Sequence, residues 1–261
     1  MSATPISPRT RISVLAVLTA VVAAVSILLP PFAQPQSYHN FADHRGFLGI
    51  PNFGDVASNI PFAIVGVWGF TFLASGKASS LFVDQRERWP YIIAFLGMAL
   101  TFLGSSYYHL HPDDARLVWD RLPMTLVFMS IVAAVIDERV SLRAGLWVLP
   151  LLLVVGIASV LQWYASELRG AGDLRFYAAV QAYSALVLLV SLAFPTPYTR
   201  GSNFAVVVGF YALAKALELL DKPIFAVGRV VSGHTLKHLA AAGAGYWILR
   251  MVQKRRRLDP A

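Results

Sequence analysis

Residues 146–165 read LWVLPLLLVVGIASVLQWYA, without one charged side chain. As an α-helix a run of this length reaches about 30 Å, the thickness of the hydrocarbon core of a bilayer. It therefore reads as a membrane span rather than as a buried helix of a water-soluble core. Comparable runs recur near 12–30, 56–75, 90–108, 120–137, 176–195, 204–220 and 234–251. Nowhere does a segment of about ten residues alternate in polarity as a membrane strand would, and backbone in lipid is confined to helix or closed barrel. The sequence predicts an all-α fold, a polytopic transmembrane helix bundle of eight helices.

Composition points the same way. Hydrophobic residues make up 57% of the 261 positions and charged residues only 14%, with a mean hydropathy of +0.60, which is far more apolar than a typical soluble domain. Connections are short, the longest being 31–55, and no Pro/Ser-rich tract interrupts the chain. The expected organisation is an N-terminal cytoplasmic segment with an additional helix over 1–33, a bundle over 34–252, and a basic tail over 253–261. The N-terminal PRTR followed by an apolar run also resembles a signal peptide. Its run exceeds the usual core of about 7–15 residues, so a retained helix is expected, and cleavage would leave the remaining topology unchanged.

The net charge of +8 raises nucleic acid as a partner, but the placement of the cations argues for a membrane and against nucleic acid. With the N-terminus cytoplasmic, Arg9, Arg11, Lys77, Arg86, Arg88, Arg139, Arg143, Arg200, Arg250 and the basic run 254–257 share one side. Arg45, Arg116, Arg121, Arg169, Arg175, Lys222 and Arg229 are fewer and fall on the other. The excess follows the positive-inside rule and puts both termini in the cytoplasm. Binding of anionic headgroups by the tail is at most a by-product. Cysteine is absent, which excludes a disulfide frame and thiolate metal sites.

Alternating eight helices across the bilayer gathers the buried polar residues on the outer face. NFGDVASN (52–59), GSSYYH (104–109), Asp120 and SGHTLKH (232–238) all fall there, and so do the loop histidines His39, His44 and His111. His234 and His238 are four apart, so they share one helical face with Cβ atoms about 5–6 Å apart. His109 can complete a three-nitrogen set with one open position, the pattern of catalytic zinc, which brings the pKa of a water there to about 7.

Each of these residues also has a plainer reading. An HxxxH arises often by chance, and His109 alone reads equally as an interfacial histidine. Ser105, four before His109, is either an oxyanion donor or a serine bonded back to its own helix. Asp120 is a general base toward a water at the metal, an N-cap with Pro123 in the first turn, or both. Lys237 is expected to snorkel to the interface. Lys215 and Glu218 read as an intramembrane pair that is also a candidate substrate contact. Tyr107, Tyr108, Trp119 and Trp163 fit interfacial belts.

At GSSYYH, DRLPM (120–124) and HTLKH (234–238) the chain resembles the alkaline ceramidase family, within the seven-helix membrane hydrolases that include the adiponectin-receptor-like proteins. The family pattern is G-S-x-x-x-H, an Asp eleven residues after that His followed by x-L-P-M, and HxxxH opening the last helix. FGDVASN (53–59) is also similar to the family's F-W-N-T-x-S-N, so the likeness runs over roughly 37–245.

The resemblance implies a seven-helix ceramidase-like core behind one extra N-terminal helix. It implies Zn2+ held by His109, His234 and His238, with Asp120 and Ser105 as catalytic residues. The implied reaction is hydrolysis of the amide of ceramide or a related N-acyl lipid, drawn from the bilayer, to a fatty acid and an amine on the extracytoplasmic side. In a bacterial cell that side is the periplasm or the exterior. The alternative is a zinc-containing receptor or membrane-disturbing protein of the adiponectin-receptor-like branch, without this activity. A proton-coupled transporter is disfavoured, because no internal repeat or paired broken helices point to a midplane site. The chain departs from the family in its calcium run: SYHNFADHRGF offers only Asn40 and Asp43, and Asn52 stands where Glu is expected, so Ca2+ is doubtful. Asp55 stands where the family has Asn. Neither acyl-chain length nor oligomeric state is encoded in these patterns.

Overall fold

The computed structural model describes residues 6–258. Among them the chain is helical throughout, with no β-structure beyond two isolated bridges. The helices are α1 (Pro8–Leu28), α2 (Phe53–Ala57), α3 (Ile60–Ala74), α4 (Arg88–Leu110), α5 (Asp114–Arg139), α6 (Leu142–Leu168), α7 (Arg175–Ser191), α8 (Asn203–Leu219), α9 (Asp221–Gly228) and α10 (Gly233–Lys254). The long apolar helices are compatible with a multi-pass membrane protein. Five segments are long and apolar enough to cross a bilayer: α1, α2 with α3, α4 with its preceding turn, α5 and α6. A sixth is obtained if α8 and α9, bent by 70° at their junction, count as one span. Among the described residues, length and composition thus give five or six spans and not eight, and a seven-helix core is not established. The reason is local: α7 has only 17 residues, and α10 dilutes its apolar residues with His234, Lys237 and His238 near one end and Arg250 and Lys254 near the other.

α5 is the hub, packed by α4, α6 and α7, while α10 lies against α8 and α3. Small residues let the backbones meet, as in membrane bundles generally. A Cβ on Gly66 of α3 would lie 2.8 Å from the carbonyl oxygen of Phe95 and 2.9 Å from Cα of Ala99 in α4. α1 is the outlier, with Val17, Val21 and Ile27 exposed. It leans on α7, where the Thr19 and Tyr183 hydroxyls meet at 2.9 Å.

Three expectations are corrected here. The helix carrying Asp120 begins six residues before it, capped by Asp113, whose carboxylate accepts from the amide of Arg116 at 2.7 Å. Asp120 is therefore interior and not an N-cap, and Pro123 lies inside the helix. The aromatics divide: Tyr107 and Trp119 are exposed, whereas Tyr108 and Trp163 belong to a core cluster with Phe41 and Tyr177. Finally, part of the basic tail is folded in. Residues 256–258 pair with 197–199 through Arg256 O, Arg256 N and Leu258 N, and Arg255, 2% exposed, forms an ion pair with Glu138. Arg255 is thereby withdrawn from lipid headgroups.

Candidate metal centre

Two helix ends bring three histidines together at one end of the bundle. His109 lies in the last turn of α4, and His234 and His238 lie in the first two turns of α10. All three are buried, at 0%, 3% and 3% exposure. Their ring centroids stand 4.8–4.9 Å apart in every pairing, and one nitrogen from each lies within 4.8 Å of the others. Both ring nitrogens of His109 and Nε2 of His234 have no hydrogen-bond partner.

The third ring has a defined tautomer. The single hydroxyl proton of Ser58 goes to the carbonyl oxygen of Asp55 at 3.0 Å, so its oxygen accepts from Nδ1–H of His238 at 2.8 Å. That leaves the lone pair of His238 on Nε2, the outer-shell arrangement found behind metal-bound histidines. Buried imidazole nitrogens normally find partners. The unpartnered nitrogens of His109 and His234, with one nitrogen of His238, form a donor set able to hold a metal ion, and all-nitrogen ligation suits a divalent transition metal.

The α10 end is positioned by groups far apart in sequence. Ser232 caps α10, accepting from the Thr235 amide at 3.0 Å. Asp221 accepts from the His234 amide at 2.8 Å and from the Ala42 amide at 2.8 Å, placing an anion at a helix N-terminus, where the dipole favours it. Asp55 accepts from Thr235 Oγ1 at 2.8 Å and from the Ser232 hydroxyl at 3.3 Å. On the α4 side, Asn52 adopts a left-handed conformation (φ 46°), which Asn tolerates better than most residues, and donates Nδ2 to the carbonyl of His109 at 2.8 Å. The Phe41 ring lies 4.7 Å from His109 and 4.5 Å from His234 and covers the pair.

Ser105 and Asp120 come together with His238 on the wall of one cavity of roughly 640 Å3. Gly104 makes this possible: a Cβ there would stand 2.7 Å from the carbonyl carbon of Trp119 and 3.3 Å from the amide of Asp120, so α4 and α5 touch through backbone at this level. Ser105 does not bond back to its helix. Its hydroxyl is buried and without a partner, unlike Thr101 one turn earlier, which donates to the Gly97 carbonyl at 2.9 Å.

Lys237 does not snorkel. Its ammonium donates to Glu218 at 3.0 Å, and Glu218 also accepts from Lys215 at 2.8 Å and from the Tyr38 hydroxyl at 3.0 Å. Burial holds the Tyr38 phenol well above its ordinary pKa, so it remains a donor. The remaining histidines stay outside the cluster. His39 bonds Tyr108 and Asp114, His44 bonds Asn40 and Asn52, and His111 ends α4. Of the two residues that remain in the family's calcium run, Asp43 is gripped through both oxygens by Arg45 at 2.7–2.8 Å, which holds its carboxyl below the usual range.

Ser58, Asn52 and Asp55 stand out in the sequence as polar residues at a helix start, yet their partners are not legible there. Asp221 and Phe41 carry no local signal: one looks like the start of a short helix and the other like an ordinary loop aromatic. No family model matches the chain, and no curated protein matches it.

Proposed function

We propose that the protein is a membrane-embedded, zinc-dependent amidohydrolase that cleaves ceramide or a related N-acyl lipid. The observation that carries this reading is the set of three buried, convergent histidines, one of which, His238, lines a cavity also lined by Ser105 and Asp120. The spacing of GSSYYH, DRLPM and HTLKH, which resembles that of the alkaline ceramidases, supports it further.

Zinc held by His109, His234 and His238 would polarise the amide carbonyl and acidify a water. Asp120 takes a proton from that water as its oxygen bonds to the carbonyl carbon. The Ser105 hydroxyl, free of any helix bond, donates to the oxygen on which negative charge develops. Asp120 then passes the proton to the amide nitrogen as the C–N bond breaks, releasing a carboxylic acid and an amine. Phe62, Met98, Phe128, Leu188 and Ile248 on the cavity wall suit an acyl chain. The cation distribution supports a topology with both termini in the cytoplasm and the site toward the extracytoplasmic leaflet, and the proposed core is seven helices behind α1.

The test is metal analysis of the purified protein together with mass-spectrometric detection of fatty acid released from a panel of N-acyl lipids. One zinc per chain and a released acid are expected, with both lost in His238→Ala. Asp120→Asn is expected to keep the metal and lose the product. Unchanged turnover in either variant removes the mechanism, whereas zinc without any product favours a structural metal in a receptor-like protein.

A further inference from the structure

Arg121 is a permanent cation only 4% exposed, and among the described residues no carboxylate forms an ion pair with it. Its guanidinium lies 4.1 Å from the Trp163 ring centroid and 4.7 Å from that of Tyr177. Nη2 donates to Oε1 of Gln34, and Nη1 is buried without a partner. Aromatic faces contribute about 2 kcal/mol to a desolvated cation, which is less than the several kcal/mol that burying the charge costs. A buried charge left in this state calls for an anion.

Arg121 lines the same cavity as Asp120 and His238. Asp120 is its neighbour in sequence, but adjacent helical side chains diverge by about 100°. Lys215 and Lys237 line the cavity as well and share the single carboxylate of Glu218. Counting Asp120, this wall carries one positive charge in excess before any metal is added.

We propose that Arg121 forms an oxyanion subsite at the polar head of the cavity, so that the ligand is a long-chain amphiphile bearing a carboxylate or a similar acidic group. Two sources share that chemistry: an acid on the amine half of the substrate, or the fatty-acid carboxylate released by cleavage. The second source rests on the hydrolase reading and the first does not. Arg suits the role because its planar fork binds a carboxylate through two parallel N–H bonds.

Equilibrium binding tests this without turnover. The full chain in nonionic detergent is titrated with palmitate, N-palmitoylglycine and neutral N-palmitoylethanolamine, and binding is read by tryptophan fluorescence, since Trp163 touches the guanidinium. The unaltered protein is expected to bind N-palmitoylglycine at least about tenfold more tightly than N-palmitoylethanolamine, the scale of one charge-assisted hydrogen bond. Arg121→Gln is expected to abolish that preference. Weakening of palmitate alone identifies the product carboxylate as the anion, and weakening of N-palmitoylglycine identifies a head-group acid. Equal affinity for the acidic and neutral amides in the unaltered protein, together with palmitate binding that Arg121→Gln leaves unchanged, overturns the subsite, and this outcome stands whether or not any lipid is cleaved. Selective binding without hydrolysis would retain the subsite and remove the hydrolase.

Discussion

The bundle buries polar groups at both ends and treats them in opposite ways. At the end where α10 finishes, Glu138 accepts from Tyr91 at 2.8 Å and pairs with Arg255. The Arg255 guanidinium also lies 3.9 Å from the Tyr198 ring centroid, and Arg139 donates to the carbonyls of Ser191, Phe194 and Gly201 at 2.6–2.9 Å. The satisfaction is incomplete: neither carboxylate oxygen of Asp137 is partnered, and Nε of Arg139 and Nη2 of Arg255 are also left over. At the histidine end the rule is reversed: three imidazole nitrogens, the Ser105 hydroxyl and one arm of Arg121 have no protein partner. A satisfied polar network specifies a structure, whereas convergent unsatisfied groups are stability given up for binding.

Perturbing each end in turn tests that contrast. Arg255→Ala leaves Glu138 buried and unpaired, so unfolding in detergent should show a loss of about 3–5 kcal/mol. His109→Leu should do the reverse in metal-stripped protein, leaving the thermal midpoint unchanged or raised, because an unpartnered buried polar ring is replaced by an apolar one. If His109→Leu destabilises the stripped protein as much as Arg255→Ala does, the two ends are alike and the contrast fails.

Two smaller changes sharpen it at the histidine end. Ser58→Ala removes the acceptor for Nδ1–H of His238 and should weaken metal retention by about 10–100-fold in a chelator competition, the usual consequence of losing an outer-shell partner. Gly104→Ala forces α4 away from Trp119 and Asp120. An overpacking loss of about 1–3 kcal/mol is expected, and on the proposed hydrolase reading turnover should fall as Ser105 and Asp120 part.

The mildest effect is acidic. Arg45 holds the Asp43 carboxyl below its ordinary value, so the pairing stabilises the loop fully above the unfolded pKa and is lost as pH falls through the lower folded one. Proteolysis within 40–50 should accelerate only in that acid window. Acceleration beginning near neutral pH would implicate a different group.

Helical character was legible because hydropathy is a property of contiguous residues, and a run such as 146–165 has few alternatives in lipid. The pairing of His234 with His238 was legible for the same reason, since the pitch of a helix is local. The start of α5 was not. Leu117 and Val118 are buried in the cluster of Phe41, Tyr108, Trp163 and Tyr177, so the helix continues past the apolar run into DARLVWD, and tertiary packing rather than hydropathy marks its end. Lys237 was misread for a related reason: snorkelling is the default of an isolated helix, and Glu218 is brought within reach only by the packing of α8 on α10.

The sequence by itself determined that this chain is an apolar helical bundle with its chemistry-bearing residues near helix ends, because composition and periodicity are set by each segment against its solvent. Only the tertiary structure decided that His109 joins two histidines more than a hundred residues away, and that Asp221, Ser58 and Asn52 hold them there. It also left Arg121 without a counter-charge. Those outcomes depend on which backbones can approach each other, at Gly66 and Gly104 above all, and a close approach belongs to a pair of helices and not to either one.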